Sequence, residues 1–310
     1  MARLFAEPKY NVCCWSTPNN TWREDIEQSA GIGATAVGLF EGKFADGDDA
    51  AILDALGEHG IAAGIVMPRN WTILPTPLDP ASVGDWKQKT DAICASIERY
   101  AKFKPAGIMV GPGVSGDPLR RFGPEHVAEG LALTARTAAE YGLKIAFEPL
   151  SLRRGAAVAT IPETIAVMDE AGRDNVGILM DVWHNWDQDD LLAHMRRHIH
   201  RFLGIQVNDY RNPTRSWCDR VFPGDGVNAC TPIIATLLDA GYEGWWDFEV
   251  FSDDGRWGNA FPESLWKMPH AEFLQRGRDA FMKCFDDAKR MVMTGNLPPM
   301  PEPLRLHGNF

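Results

Sequence analysis

A chain of 310 residues with 45% hydrophobic and 24% charged side chains has the make-up of a globular protein able to bury a large core, which excludes a disordered chain. A formal net charge of -11 and a pI near 5.2 leave no excess of Lys and Arg to neutralise phosphates, so nucleic acid is not expected as a partner. No apolar run reaches the roughly 20 residues of a membrane span, the first residues lack the apolar stretch of a signal peptide, and the six cysteines form no CxxC pair; no membrane contact, reduced thiols and a cytoplasmic location are expected.

Strand-like apolar runs alternate with amphipathic helical segments along the whole chain. The first pair is a strand over Asn11 to Ser16 and a helix over Thr21 to Ser29, and the second is Ala34 to Glu41 with Asp48 to His59. Strands at Ile61 to Met67 and Gly107 to Gly111 precede helices at Trp86 to Phe103 and Pro124 to Tyr141. The second half repeats the unit: Lys144 to Leu150 then Pro162 to Ala171, Val176 to Val182 then Asp187 to His200, Phe202 to Asn208 then Pro232 to Ala240, Gly244 to Val250 then Glu272 to Met293. Gly60, Gly142, Gly172 and Gly241 stand where helices stop, and Pro124, Pro162 and Pro232 where they start.

Eight strands in strict alternation with eight helices predict an α/β fold, a (β/α)₈ TIM barrel, as a single domain over residues 1–296 followed by a Pro-rich tail over 297–310. An open doubly wound sheet is the alternative, and no GxGxxG turn follows the first strand to support it. Extended loops follow strands seven (Asn208 to Cys230) and eight (Phe251 to Pro269), on the face where barrel active sites form.

Four strands of the second half end on side chains able to hold a hard cation: Glu148, Asp181, Gln206 and Glu249. An ionised carboxylate at the end of a core strand is costly unless paired or metal-bound, and a barrel brings the ends of strands five to eight to one rim. Two Glu, one Asp and one amide oxygen form a set suited to Mn²⁺ or Mg²⁺ more than to Zn²⁺. Eleven Trp residues, several at strand ends or in the loops beyond (Trp15, Trp71, Trp183, Trp186, Trp217, Trp257), read either as core aromatics or as platforms for sugar rings or an aromatic ligand.

The segments Ile145-Ala-Phe-Glu148-Pro, Asp181-Val-Trp-His184, Gly204-Ile-Gln206-Val-Asn-Asp209, Arg220-Val-Phe-Pro-Gly-Asp-Gly226 and Gly241-Tyr-Glu-Gly-Trp-Trp-Asp-Phe-Glu249 resemble those of the xylose-isomerase-like barrel superfamily. That superfamily includes sugar-phosphate isomerases and epimerases, ketose 3-epimerases, hydroxypyruvate isomerases, inosose dehydratases, the larger subunits of C-glycoside deglycosidases and endonuclease IV. The resemblance implies that Glu148 and Glu249 ligate and also carry protons, that Asp181 and Gln206 ligate only, and that His184 and Arg220 contact substrate. Gln206 departs from the His of the ketose epimerases, as in hydroxypyruvate isomerase-like members. Glu41, at the end of strand two, corresponds to a position that contacts a substrate hydroxyl in some members, with a salt bridge at the barrel mouth as its other reading; Trp15 and Trp183 are candidates for shaping the pocket.

The implied reaction is proton transfer next to a carbonyl through a metal-stabilised enediolate, in a sugar or keto-sugar isomerase or epimerase. If a substituent leaves after the first proton, the same site gives a lyase acting on an oxidised glycoside or cyclitol; a non-catalytic binding subunit is the third reading. The nuclease members need a His-rich metal cluster, whereas strands three and four here end in Met67-Pro-Arg-Asn and Gly111-Pro-Gly-Val. The expected partner is a small-molecule carbohydrate or glycoside; assembly with like subunits is expected and a second type of subunit is left open.

Overall fold

The computed structural model describes residues 5–76, 85–114, 122–151 and 155–301; the expected tail from residue 302 onward lies outside them. The wall of the barrel is built from β1 (Lys9–Cys13), β2 (Ala36–Gly38), β3 (Ala62–Ala63) with β4 (Ile65–Val66), β5 (Gly107–Val110), β6 (Ile145–Phe147), β7 (Val176–Asp181), β8 (Phe202–Val207) and β11 (Trp245–Phe248). All pair in parallel in the order β3-β2-β1-β11-β8-β7-β6-β5-β4. Because β3 and β4 are the two parts of one segment, that order closes on itself. The eight predicted strands are all present, the third interrupted at Gly64.

Helices α1 (Trp22–Gly31), α2 (Asp49–His59), α3 (Trp86–Tyr100), α4 (Pro124–Glu140), α5 (Ile161–Ala171), α7 (Leu191–Arg197), α8 (Cys230–Asp239) and α9 (His270–Thr294) cover the outside. Their starts are written locally: Thr21 with Glu24, Asp85 with Gln88 and Thr160 with Glu163 form capping boxes, each satisfying backbone N–H groups that the first turn leaves open. The helix expected over Asp187 to His200 is shorter, because Asp190 takes φ +52 before α7 and the end tightens into a 3₁₀ turn over Ile199–Arg201. A four-residue helix, α6 (Val182–Asn185), follows β7 directly. Within the loop after β8, β9 (Asp209–Tyr210) and β10 (Arg220–Val221) pair antiparallel.

Side chains alternate between two cores. Outward residues such as Val12, Ile108, Ile145, Phe147, Ile178 and Phe248 pack against the helices, while Ile65, Met109, Ala146 and Leu179 fill the barrel. Among the described residues no helix is long and apolar enough to cross a membrane.

Candidate active site

The period of two along each strand decides which polar residues enter the barrel. Backbone register sets Asn11 of β1 opposite Asp247 of β11, Asp247 opposite Gln206 of β8, and Gln206 opposite Asp181 of β7. These four side chains therefore form one row across four neighbouring strands. Glu249 lies on the same face as Asp247 one step nearer the rim, and Glu148 occupies the step beyond β6. Glu148, Asp181, Gln206 and Glu249 are all buried, none more than 3% exposed.

The guanidinium of Arg220, itself fully buried, closes this cluster. Its Nη2 is 2.9 Å from Asp181 Oδ2, its Nη1 is 2.9 Å from Glu249 Oε2, and its Cζ lies 4.3 Å from the centre of the Phe251 ring. Asp181 accepts from Asn208 Nδ2 at 2.6 Å and from the Trp183 backbone N–H at 2.9 Å, because it also caps α6. Glu249 Oε1 accepts from Gln206 Nε2 at 2.9 Å and from the Cys13 thiol at 3.3 Å.

His184 Nδ1 accepts the Ser151 backbone N–H at 3.1 Å, which places the proton of the neutral ring on Nε2. That nitrogen lies 3.5 Å from Asp181 Oδ2 and 3.8 Å from Glu148 Oε1. The ligand-type atoms of Glu148, Asp181 and His184 fall within 4.8 Å of one another, yet a protonated Nε2 has no lone pair for a metal. His184 is thus arranged as a hydrogen-bond donor beside the carboxylate oxygens of the cluster.

Burial raises the Glu148 carboxyl well above its ordinary value, with Glu249 and Asp181 adding to the effect. Burial also lifts Glu249, to about 8, although Arg220 opposes it, and it lifts Asp247 to about 7 against donation from Asn11 and Gln206. One guanidinium is too little positive charge for this group of acids. Glu148 Oε2 and Gln206 Oε1 are buried without a hydrogen-bond partner. Such orphaned oxygens next to carboxylates that resist ionisation fit a divalent cation held by oxygen donors.

The remaining candidates separate. Glu41 turns to the outer wall, where Oε2 accepts from Ser96 Oγ at 2.6 Å and from the Arg69 backbone N–H, with Arg99 at 3.6 Å; it does not join the cluster. Trp183 is buried beside Arg220 and His184. Trp15, Trp71, Trp217 and Phe251 roof the small chamber over Glu148, His184 and Glu249. Trp15 and Trp217 also line a neighbouring cavity of about 560 Å³ with Phe40 and Trp257. In the loop after β11, Asp253 is buried and accepts the N–H groups of Gly255, Trp257 and Asn259, whereas Asp254 and Arg256 pair with each other nearer the surface.

Four residues at the site were not singled out from sequence: Asn11, Cys13, Asn208 and Asp247. Two carried a usable signal, because Asn208 is two residues beyond Gln206 and Asp247 two before Glu249, on the same strand faces. Asn11 and Cys13 had none, since their strand is joined to β11 only by barrel closure.

The model of the family described as "Xylose isomerase-like TIM barrel" matches residues 26–276. An inosose dehydratase of Salmonella typhimurium is 29% identical over 142 residues, 41% of this chain and 46% of that protein. A probable ketose 3-epimerase of Synechocystis is 27% identical over 170 residues, 51% of this chain and 56% of that protein, so the chain spans about half the length of these relatives. Among solved structures, a protein from Sinorhizobium meliloti 1021 superposes with a TM-score of 0.72 at 22% identity, covering 89% of this chain and 98% of that one. IolI, solved with a bound zinc atom, gives 0.73 at 15% identity over 90% of this chain and 99% of its own. An L-ribulose 3-epimerase gives 0.70 at 15% identity over 95% and 100%. With 251 consecutive residues under the family model and the barrel closed as described, this chain belongs to the xylose isomerase-like TIM barrel family.

Proposed function

We propose that this chain is a divalent-metal-dependent carbohydrate isomerase or epimerase that moves a proton next to a carbonyl of a sugar or keto-sugar, with Mn²⁺ or Mg²⁺ as its cation. The observation that carries this reading is a pair of buried glutamates in unequal surroundings. Burial lifts Glu249 to about 8, but Arg220, Gln206 and Cys13 all direct donors at its carboxylate, so once ionised as a ligand it is suited to take a proton from carbon. Glu148 has an unpartnered Oε2 and a carboxyl raised well above its ordinary value, so it is suited to hold the proton that is returned.

Glu148, Asp181, Gln206 and Glu249 would hold the cation through oxygen. Once bound, it supplies positive charge against the oxyanion that develops as the neighbouring C–H bond breaks. His184, with its proton on Nε2, donates to a substrate oxygen, and the aromatic roof excludes water from the proton being moved. The same reading takes a small-molecule carbohydrate or glycoside as partner, a cytoplasmic location and assembly from like subunits.

One observation favours a second outcome on the same site. The cavity of about 560 Å³ that shares Trp15 and Trp217 with the reaction chamber offers aromatic walls for a second ring, as an oxidised glycoside would carry. On such a substrate, proton removal by the same base would expel the group on the adjacent carbon, making the chain a lyase. Incubation with keto-sugars and 3-oxo-glucosides in D₂O, read by NMR and mass spectrometry, decides between them. Deuterium at carbon in an intact sugar supports the isomerase; loss of water or aglycone supports the lyase; absence of both, with no metal retained, leaves a binding subunit.

A further inference from the structure

The interior of a parallel barrel is normally filled by branched apolar side chains, and a buried Asp there needs a reason. Asp247 is 1% exposed and lies in the row below Glu249, between Asn11 and Gln206. Its two carboxylate oxygens have different partners. Oδ1 accepts from Asn11 Nδ2 at 2.6 Å, and Oδ2 accepts from Gln206 Nε2 at 3.4 Å.

Asn11 has little freedom to turn. A Cβ on Gly64 would stand 1.9 Å from Asn11 Oδ1, and one on Gly38 would stand 3.0 Å from Asn11 Nδ2, so a glycine on the neighbouring β2 and one between β3 and β4 admit this amide in its present position. Asn11 holds Asp247, and Asp247 faces the nitrogen end of the Gln206 amide.

Gln206 presents either an oxygen or an NH₂ group to the cluster, and only the oxygen can bind a cation. Glu249 Oε1 also accepts from Nε2, at 2.9 Å, but Glu249 belongs to the same ligand set and shares that oxygen with Cys13. Asp247 is the acceptor on Nε2 that stands outside the set. On the reading of Gln206 as a ligand, we infer that Asp247, held by Asn11, is a positioning residue: it takes the amide nitrogen and so commits the Gln206 oxygen to the metal. This makes the selection of an oxygen-only site a property of the row beneath the ligands as well as of the ligands themselves.

The test is a Mn²⁺ titration of the full chain, with free Mn²⁺ read from its EPR signal, in wild type, Asp247→Asn, Gln206→Glu and the double variant. The amide introduced by Asp247→Asn can offer its own NH₂ to Gln206 and so allows the Gln206 amide to turn; Mn²⁺ affinity should fall roughly 10- to 100-fold, the range for losing a partner behind a ligand. Gln206→Glu alone sets a carboxylate against Asp247 and should also weaken binding. The double variant exchanges the two groups: the new amide donates to the new carboxylate, whose second oxygen is left for the cation, and binding should recover to within a few-fold of wild type. A purely structural role for Asp247 does not produce that recovery, and the thermal midpoint of each metal-free variant reports any general loss of fold. Unchanged affinity in Asp247→Asn, or no recovery in the double variant, overturns the inference alone. If wild type binds no Mn²⁺, the reading of the site falls and the inference with it.

Discussion

Arg220 Nη1 and Glu249 Oε2 stand 2.9 Å apart with both side chains out of solvent, so the loop after β8 is fastened to the end of β11 by an ion pair. The same guanidinium reaches Asp181, and its Nε donates to the Trp217 carbonyl at 3.1 Å, so one side chain ties two candidate ligands to the roof of the chamber. Removing one partner of a buried pair costs more than the pair contributes, because the other charge stays buried.

Arg220→Ala should therefore lower the stability of the metal-free protein by about 3–5 kcal/mol. Mn²⁺ should restore part of the loss by supplying the missing positive charge. Urea unfolding with and without Mn²⁺ measures both; a variant as stable as wild type without metal would show that Asp181 and Glu249 do not depend on this guanidinium.

Cation binding should be coupled to proton release. Folding without metal lifts Glu249 from an ordinary 4.5 to about 8 and raises Glu148 too, chiefly through burial, and a cation requires the ionised forms. Mn²⁺ affinity should rise with pH through about 8, by as much as about tenfold per unit for each proton displaced. The metal-free fold follows the opposite sign: a carboxyl raised on folding contributes stability that is fully present below about 4.5 and is lost as pH rises through about 8. Calorimetry in buffers of different ionisation enthalpy reads the protons directly, and a pH-independent affinity between 6 and 9 would contradict the account.

Chelation should abolish turnover and Mn²⁺ should restore it. Glu148→Gln and Glu249→Gln should each lower kcat by about 10² to 10⁴-fold, the usual contribution of a proton-transferring group, with circular dichroism unchanged. Activity at the wild-type level in metal-free protein would refute the mechanism.

Thr160→Ala should separate stability from chemistry. Thr160 caps α5 by accepting the Glu163 N–H, and Glu163 returns the bond to the Thr160 N–H. Losing the cap should cost about 1 kcal/mol and leave kcat unaltered. A fall in kcat larger than the fall in folded fraction would mean that α5 influences the site.

How much was legible in the sequence follows from the range of each interaction. Local rules wrote the eight strands and most of the helix starts, since a capping box spans four residues and an apolar strand five or six. The four candidate ligands were visible for a related reason: polarity at the end of an apolar run is itself a local anomaly. Family motifs added His184 and Arg220, and both lie at the cluster, while Glu41, with the same claim from its position, is taken up by Ser96 and Arg99 on the outer wall.

What the chain alone determined is therefore the barrel and the identity of its rim residues. What only the tertiary structure decided is who touches whom: that Arg220 bridges Asp181 and Glu249, that Ser151 sets the His184 tautomer, and that Asn11 meets Asp247 from the far end of the chain. Those contacts depend on strand register and, for Asn11 and Asp247, on barrel closure across 236 positions of chain, and they leave no periodic trace in the segments they join.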